Sequence, residues 1–334
     1  MFSIARAPLR VSFFGGGTDY PEYFEREPGA VIGLAMDRYI YISGSPILWL
    51  TDYKYRIGYS KVEHVNDVSD IEHPVVRESL RKYYTHNSLD MSVFSDILAR
   101  TGLGSSSTFT VCMLKLLSHM KGEHVDPLKL AAMAHEMEHD ILKERVGVQD
   151  QLHAAFGGVN RFDFYGDKIT QQAVNMSGIA LEALSKSLCL VYTKKTRSAN
   201  AVLKDQIENT KSKKIDKDLS ELYNMVGQCS RILESAKPEE MLEDLGRLLQ
   251  DGWAIKKKCS GAISNADIDE IYERALKSGA LGGKLCGAGS GGFMVMIVPQ
   301  DKQAHFIKAM GENTVMPIGI DMRGACILQH DPRR

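Results

Sequence analysis

The chain has 334 residues, and its 41 Lys and Arg residues nearly balance its 42 Asp and Glu residues, which leaves a formal net charge of −1. This balance removes the electrostatic reason to expect broad binding to nucleic acid or to an anionic membrane. The six cysteines lie far apart and form no C-x-x-C pair, so neither a zinc ribbon nor a secreted disulfide framework is expected. Without an apolar run long enough for a signal peptide or a bilayer span, the sequence predicts a cytoplasmic protein of about two domains.

In the first half of the chain, the sequence predicts strands followed by helices. Short runs of β-forming residues predict strands over residues 38–43 and 90–98. Apolar residues at helical spacing predict a helix over residues 107–122. Asp126 and Pro127 are typical of a helix start, and that helix is expected to run to about residue 145.

The second half interleaves helices with short apolar strands. Strands are predicted over residues 187–193 and 293–298, with long helical patterns to residue 258 and a shorter helix over 267–278. The strands and helices follow no regular βαβ rhythm, which favours the α+β class over a doubly wound sheet. A polar, turn-rich stretch near residues 165–185 predicts a boundary between an N-terminal domain, 1–170, and a C-terminal domain, 171–334.

The motif GLGSSS, residues 102–107, lies between a predicted strand and the start of a predicted helix. Its glycines let a ligand approach the backbone, and a helix start presents unpaired N–H groups to an anion. The motif therefore predicts a phosphate cradle. It is not a Walker A loop, because no Lys-Ser or Lys-Thr pair follows the second glycine. The alternative is a serine-capped helix after a flexible turn.

Residues 135–150 contain two histidines and several carboxylates that could carry chemistry. His135 and His139 match H-E-x-x-H, but no third zinc ligand follows, so a zinc hydrolase is not expected and a solvated helical stripe containing Glu138 is the alternative. Glu138 and Asp150 are a second candidate pair. One carboxylate could hold Mg²⁺ while the other accepts a proton from an attacking hydroxyl.

Two further motifs are rich in glycine. GAGSGG, residues 287–292, fits the dinucleotide fingerprint G-x-G-x-x-G, but it runs into a strand rather than a helix, so a hairpin or substrate loop is expected. RAPLRVSFFGGGTDY, residues 6–20, reads as a strand carrying Arg10, followed by glycines and by Thr18 and Asp19, which can hydrogen-bond a polyhydroxylated ligand. A plain strand-to-loop turn is its alternative.

These three glycine-bearing motifs, in this order, resemble the motifs of the GHMP kinases, and the resemblance spans almost the whole chain. The stretches FGGGTDYPEYF, GVQDQ, YTKKTRSA and GGKLCGAGSGGF look most like those of the D-glycero-D-manno-heptose 7-phosphate kinases. The resemblance implies a two-domain α+β GHMP kinase fold. Its N-terminal domain would be like domain 2 of ribosomal protein S5, and its C-terminal domain would be ferredoxin-like.

The resemblance also implies roles for individual residues. Asp150 would be the general base, and the Arg10 charge beside it would offset negative charge that develops during transfer. Ser106 and Glu138 would bind Mg²⁺. The residues that would wrap the ATP phosphates are Gly102, Leu103, Gly104, Ser105, Ser106 and Ser107. The residues that would bind the substrate are Gly16, Gly17, Thr18, Asp19, Gly287, Ala288, Gly289, Ser290 and Gly291, with Lys195 and Arg197 on a distal phosphate.

The implied activity is ATP- and Mg²⁺-dependent phosphorylation of the anomeric hydroxyl of D-glycero-D-manno-heptose 7-phosphate, giving the 1,7-bisphosphate in GDP-heptose biosynthesis. The chain has GGGTDY where galactokinase-like sequences have GEHTDY, which weakens galactose as substrate. Two alternatives stay open: a kinase of L-fucose or another sugar, and a sugar- or ATP-sensing regulator without turnover. The expected partners are ATP and a small sugar phosphate, with a second copy of the chain as a candidate, and neither nucleic acid nor membrane.

Overall fold

Two long strands begin the chain and pair with each other. In this computed structural model, β1 (Phe2–Phe14) and β2 (Gly29–Ser45) are antiparallel, with the short helix α1 (Pro21–Phe24) between them; strands and helices are numbered in chain order. From Ala7 onward every residue of β1 is buried, because helices from both halves of the chain contact this strand. The structure describes residues 2–47, 51–84, 86, 88–98, 101–194, 199–235, 237–289, 291–312 and 314–331.

The larger sheet has eight strands in the described residues, and β1 and β2 lie at its centre. The strand order is β12-β1-β2-β5-β3-β4, and β6 pairs with β2 and with β7. The further strands of this sheet are β3 (Tyr55–Gly58), β4 (Val62–Val65), β5 (Leu89–Ser95), β6 (Val159–Tyr165), β7 (Lys168–Ala173) and β12 (Cys326–Asp331).

Helix α3 is the central helix of the first half, and it packs against β1 and β2. Almost every side chain of α3 is buried, which agrees with its apolar sequence. The Asp126 side chain accepts a hydrogen bond from Lys129 N and so caps α4. The helices after α1 in this half are α2 (Pro74–Tyr83), α3 (Ser105–Met120), α4 (Pro127–His135), a π-helical turn (Glu136–Ile141), α5 (Gln149–Phe156) and α6 (Gly178–Ser187).

The second half forms a smaller antiparallel sheet in the order β11-β8-β10-β9. Its strands are β8 (Leu188–Tyr192), β9 (Gly282–Leu285), β10 (Phe293–Ile297) and β11 (Val315–Pro317). The accompanying helices are α7 (Ala199–Lys211), α8 (Asp216–Leu233), α9 (Pro238–Lys256), α10 (Ala266–Lys277) and α11 (Gln303–Met310). Helix α9 packs on β9 and also contacts β1, so it joins the two sheets.

The predicted strands and helices are confirmed in kind, with bounds that differ by a few residues in most cases and by more in β2 and in one helix. The helix that starts at Pro127 was expected to run to about residue 145, but its α-helical part ends at His135 and a π-helical turn ends at Ile141. The division at residue 170 stays a prediction, although β7 crosses this position and β12 returns from the C-terminus to pair with β1. Among the described residues, no helix combines the length and the apolar character that crossing a bilayer requires.

Candidate active site

The turn after β1 is held by its own hydrogen bonds. Gly15 has φ +84°, a left-handed conformation that favours glycine. The Thr18 hydroxyl is fully buried and contacts the carbonyl oxygens of Gly15 and Ala30 at 2.8 and 2.9 Å. Thr18 was expected to bind substrate, but the structure uses its hydroxyl inside the turn. These contacts hold the turn that carries Asp19, and substrate binding by Thr18 stays a prediction.

Asp19 is buried, and its carboxylate is held from two directions. Its oxygens accept hydrogen bonds from Gly17 N at 2.8 Å and from Gln149 Nε2 at 2.9 Å. Burial raises the pKa of the Asp19 carboxyl, and the backbone hydrogen bond from Gly17 opposes this shift. Gln149 was not among the expected site residues, although it stands beside Asp150 in GVQDQ. Gln149 thus ties the turn after β1 to the first turn of α5.

Arg10 and Asp150 form a two-point ion pair, as the resemblance implied. Arg10 Nε and Nη2 donate to the two Asp150 oxygens at 2.7 and 2.9 Å, and Arg10 Nη1 donates to the Gly102 carbonyl at 2.7 Å. The Arg10 side chain is 5% exposed, whereas that of Asp150 is 24% exposed. Asp150 is therefore oriented by a buried cation and still reaches the surface of the site.

The loop that precedes α3 passes directly over this ion pair. Gly104 has φ +76° and caps α3, and a Cβ on it would lie 3.2 Å from Asp150 Oδ2. Gly102, with φ +82°, packs on the third motif, since a Cβ there would lie 2.5 Å from the Cys286 carbonyl oxygen. Leu103 is buried, and its carbonyl accepts from Arg10 N. The α3 N-terminus, with its positive dipole end, thus lies beside Asp150.

Replacing Gly102 with alanine is expected to destabilise the fold more than replacing Gly122 with alanine. Both glycines have positive φ, which costs a residue with a side chain about 1–2 kcal/mol. Gly122 has open space around it, whereas Gly102 also faces the backbone of Cys286. Chemical denaturation of both variants measures the difference, and equal losses of unfolding free energy would contradict the contact between the two loops.

Glu138 lies beneath the start of α3 and is fully buried. The π-helical turn carries it, and its oxygens accept hydrogen bonds from Ser107 Oγ at 2.8 Å, Thr110 Oγ1 at 2.7 Å and Gln151 Nε2 at 2.5 Å. Burial raises the pKa of the Glu138 carboxyl to about 7, and these neutral donors only partly oppose the shift. The alternative of a solvated stripe is therefore wrong for Glu138.

Glu138 is the carboxylate that could hold a magnesium ion. In the described part of the chain it makes no ion pair, and oxygen ligands together with phosphate oxygens are what Mg²⁺ prefers in nucleotide sites. Ser106 was expected to share the ion with Glu138. The structure instead places Ser107 against Glu138 and leaves Ser106 exposed on the first turn of α3, where no hydrogen bond links Ser106 to Glu138.

The third motif closes the site from the smaller sheet. Residues 287–289 follow β9, and the next strand, β10, begins at Phe293 and pairs with β9 in the antiparallel sense. The expected glycine-rich hairpin is therefore confirmed. Of the residues expected to bind substrate, Ser290, Lys195 and Arg197 lie outside the described residues. Two lysines that were not expected reach the end of β1 and the turn after it: Lys256 from α9 and Lys284 from β9.

The described residues contain no group of three or more His, Cys, Asp or Glu side chains that could hold a metal ion together. His135 and His139 stack on each other with ring centroids 5.1 Å apart, and His139 Nδ1 lies 2.8 Å from Asp140 Oδ1.

Comparisons with known proteins address the family directly. Family models for the N-terminal and C-terminal domains of GHMP kinases match residues 72–158 and 234–315. A D-glycero-alpha-D-manno-heptose 7-phosphate kinase of Campylobacter jejuni is 29% identical over 315 residues, which cover 91% of this chain and 92% of the relative. A galactokinase of Pyrococcus furiosus is 24% identical, with 89% of each chain covered.

The fold has a counterpart among solved structures. A D-glycero-D-manno-heptose 1-phosphate kinase from Bacteriodes thetaiotaomicron superposes with a TM-score of 0.78 and 22% sequence identity, covering 99% of this chain and 100% of that chain. The α+β GHMP kinase fold expected from the motifs is thus confirmed. With both family domains matched and the glycine loop, the Arg10–Asp150 pair and the third motif brought together, the chain belongs to the GHMP kinases, a family of phosphotransferases.

Proposed function

We propose that the protein is an ATP- and Mg²⁺-dependent sugar kinase that phosphorylates the anomeric hydroxyl of D-glycero-D-manno-heptose 7-phosphate. The observation that carries this proposal is the Asp150 carboxylate, held at 2.7 Å by buried Arg10 directly under the glycine loop. The product is the 1,7-bisphosphate, and we place the reaction in the cytoplasmic supply of GDP-activated heptose. The similarity to the Campylobacter jejuni enzyme supports this choice of substrate.

Asp150 is the proposed general base. Its side chain is partly exposed, and its oxygens face the loop on which the ATP phosphates would lie. A carboxylate in this position accepts the proton of the sugar hydroxyl as that hydroxyl attacks the terminal phosphorus. Arg10 fixes the orientation of Asp150 by bonding both of its oxygens, and its charge lies where negative charge develops during transfer.

The phosphate end of ATP is proposed to rest on residues 102–107. Positive φ at Gly102 and Gly104 turns the backbone around a ligand, and the α3 N-terminus adds the positive end of a helix dipole. Glu138 is the proposed protein carboxylate for Mg²⁺, with the Ser107 hydroxyl beside it at 2.8 Å. When bound, the ion neutralises phosphate charge during transfer.

The sugar is proposed to bind between the turn after β1 and the third motif. Asp19 offers a carboxylate to the sugar hydroxyls. Gly16 has room on its side-chain face, since a Cβ there would lie 3.6 Å from Gln149 Nε2, whereas a Cβ on Gly17 would lie 2.7 Å from Gln206 Nε2. Gln149 connects Asp19 to the residue before the base, at 2.9 Å. Residues 287–291 close the opposite side of the pocket.

The direct test is coupled ADP release with Mg-ATP and a panel of acceptors. The panel holds D-glycero-D-manno-heptose 7-phosphate, mannose 6-phosphate, sedoheptulose 7-phosphate, L-fucose and galactose. The heptose phosphate is expected to give the highest kcat/KM by a wide margin. Preference for a sugar without phosphate would contradict the proposed substrate, and ATP binding without turnover of any acceptor would favour a sensing role.

A further inference from the structure

Two lysine side chains reach the end of β1 and the turn that follows it, and neither has a role in the function proposed above. Lys256, at the end of α9, is 8% exposed, and its Nζ donates to the Gly16 carbonyl at 3.2 Å and to Gln206 Oε1 at 3.1 Å. Lys284, on β9, donates from Nζ to the Phe13 carbonyl at 2.9 Å. Among the described residues, both ammonium groups bond neutral oxygens, those of Phe13, Gly16 and Gln206.

The charges around these lysines do not balance. Within the described part of the chain, no carboxylate lies within ion-pair distance of either lysine. Asp150 is bonded at both oxygens by Arg10, and Asp19 already accepts from Gly17 N and Gln149. Asp19 therefore supplies one negative charge near the two positive charges of Lys256 and Lys284.

The two ammonium groups also repel each other, because they carry the same charge. Burial lowers the pKa of the Lys284 ammonium to about 7, and the charge of Lys256 acts in the same direction. Keeping unpaired cations in a half-buried site costs free energy, and a bound anion removes that cost. Phosphate is an anion that lysine binds well as a point charge.

We propose that Lys256 and Lys284 bind the phosphate ester that the acceptor sugar already carries, remote from the hydroxyl that is phosphorylated, an inference that rests on the kinase function proposed above. Position supports the assignment, because a Cβ on Gly17 would lie 3.8 Å from Lys256 Nζ, two residues from Asp19. The subsite and the sugar-hydroxyl contact therefore share one turn.

This subsite separates two substrate classes that relatives of this chain represent. A sugar phosphate supplies the negative charge that the two lysines lack, whereas galactose or L-fucose leaves both cations unpaired. The lysines thus favour acceptors with a phosphate and select against free hexoses. Lys195 and Arg197, the residues first expected to hold this phosphate, stay a prediction.

Steady-state kinetics of Lys256→Met, with Lys258→Met as the matched control, test the proposal. Lys258 is exposed and lies two residues beyond Lys256. Lys256→Met is expected to raise the KM for heptose 7-phosphate about 10- to 100-fold, the effect of one lost charged hydrogen bond, and to leave the KM for ATP unchanged. Lys258→Met is expected to match wild type, and Lys256→Arg is expected to recover part of the loss. Lys284→Met serves in place of Lys256→Met if the latter does not fold.

An equal loss of kcat with every acceptor, or a raised KM for ATP, would overturn the proposal, because the lysines would then serve the transferred phosphoryl group. An unchanged KM for the sugar phosphate would overturn it as well.

Calorimetric titration with inorganic phosphate, in saturating Mg-ADP, separates the subsite from the kinase function. Binding that Lys256→Met weakens and Lys258→Met does not supports the subsite even if no acceptor is turned over. Binding that is equal in all three proteins, or absent, contradicts it even in an active kinase.

Discussion

Replacing Asp150 with asparagine is expected to lower kcat about 10²- to 10⁴-fold, the usual contribution of a positioned general base. Asparagine keeps the size of the side chain and one oxygen for Arg10, so the KM for ATP is expected to stay close to that of wild type. It cannot take up the proton of the sugar hydroxyl. Coupled ADP release at saturating heptose 7-phosphate measures the effect.

The matched control for this variant is Asp163→Asn. Asp163 also bonds an arginine at two points, since Arg161 Nε and Nη2 donate to its carboxylate, but it lies on β6 outside the proposed site. Its replacement is expected to leave kcat near that of wild type. If Asp150→Asn also kept near wild-type turnover, Asp150 would not be the base.

Replacing Glu138 with glutamine is expected to raise the Mg²⁺ concentration needed for half-maximal activity by at least about 10- to 100-fold, the loss that removal of an outer-shell partner of a metal already causes. Glutamine retains the shape and one acceptor oxygen for the Ser107 and Thr110 hydroxyls, but it lacks the charge. Magnesium titrations of the activity of wild type and variant give the comparison. Equal magnesium requirements would remove Glu138 from the metal site.

The metal-free proteins provide a readout of Glu138 that needs no turnover. The pKa of about 7 in the folded state lies above the ordinary glutamate pKa of 4.5, so between these pH values the folded state holds a proton that the unfolded state has lost. The unfolding free energy of wild type, relative to Glu138→Gln, is therefore expected to fall as pH rises from about 4.5 to about 7. Added Mg²⁺ at pH 8 is expected to raise the Tm of wild type more than that of the variant.

Local sequence patterns predicted the helices and strands around the site, because apolar residues on a buried face recur at the period of the helix or strand. The apolar spacing of α3 and the short apolar run of β10 are readable in this way, and the helix start at Pro127 follows from the Asp126 cap. The return of β12 to pair with β1 is not readable, since it joins the two ends of the chain through a contact that no local pattern encodes.

The site was predictable only in part. The proximity of Arg10, Asp150 and the glycine loop came from the family resemblance, because these residues lie far apart in the sequence. Glu138 resembled a surface residue on an α-helix until the π-helical turn placed it inside. Lys256 begins a run of three lysines at the end of α9, which reads as a solvated helix end. Only the packing of α9 against β1 shows that Lys256 faces the turn after β1.

Phosphorus NMR of the reaction product tests the proposed activity most directly. The protein, Mg-ATP and D-glycero-D-manno-heptose 7-phosphate are expected to give ADP and one new phosphorus signal that is coupled to the anomeric proton, with the 7-phosphate signal retained. A new ester on any other carbon would contradict the proposed acceptor hydroxyl. ADP and inorganic phosphate without a new sugar ester would contradict the transfer itself.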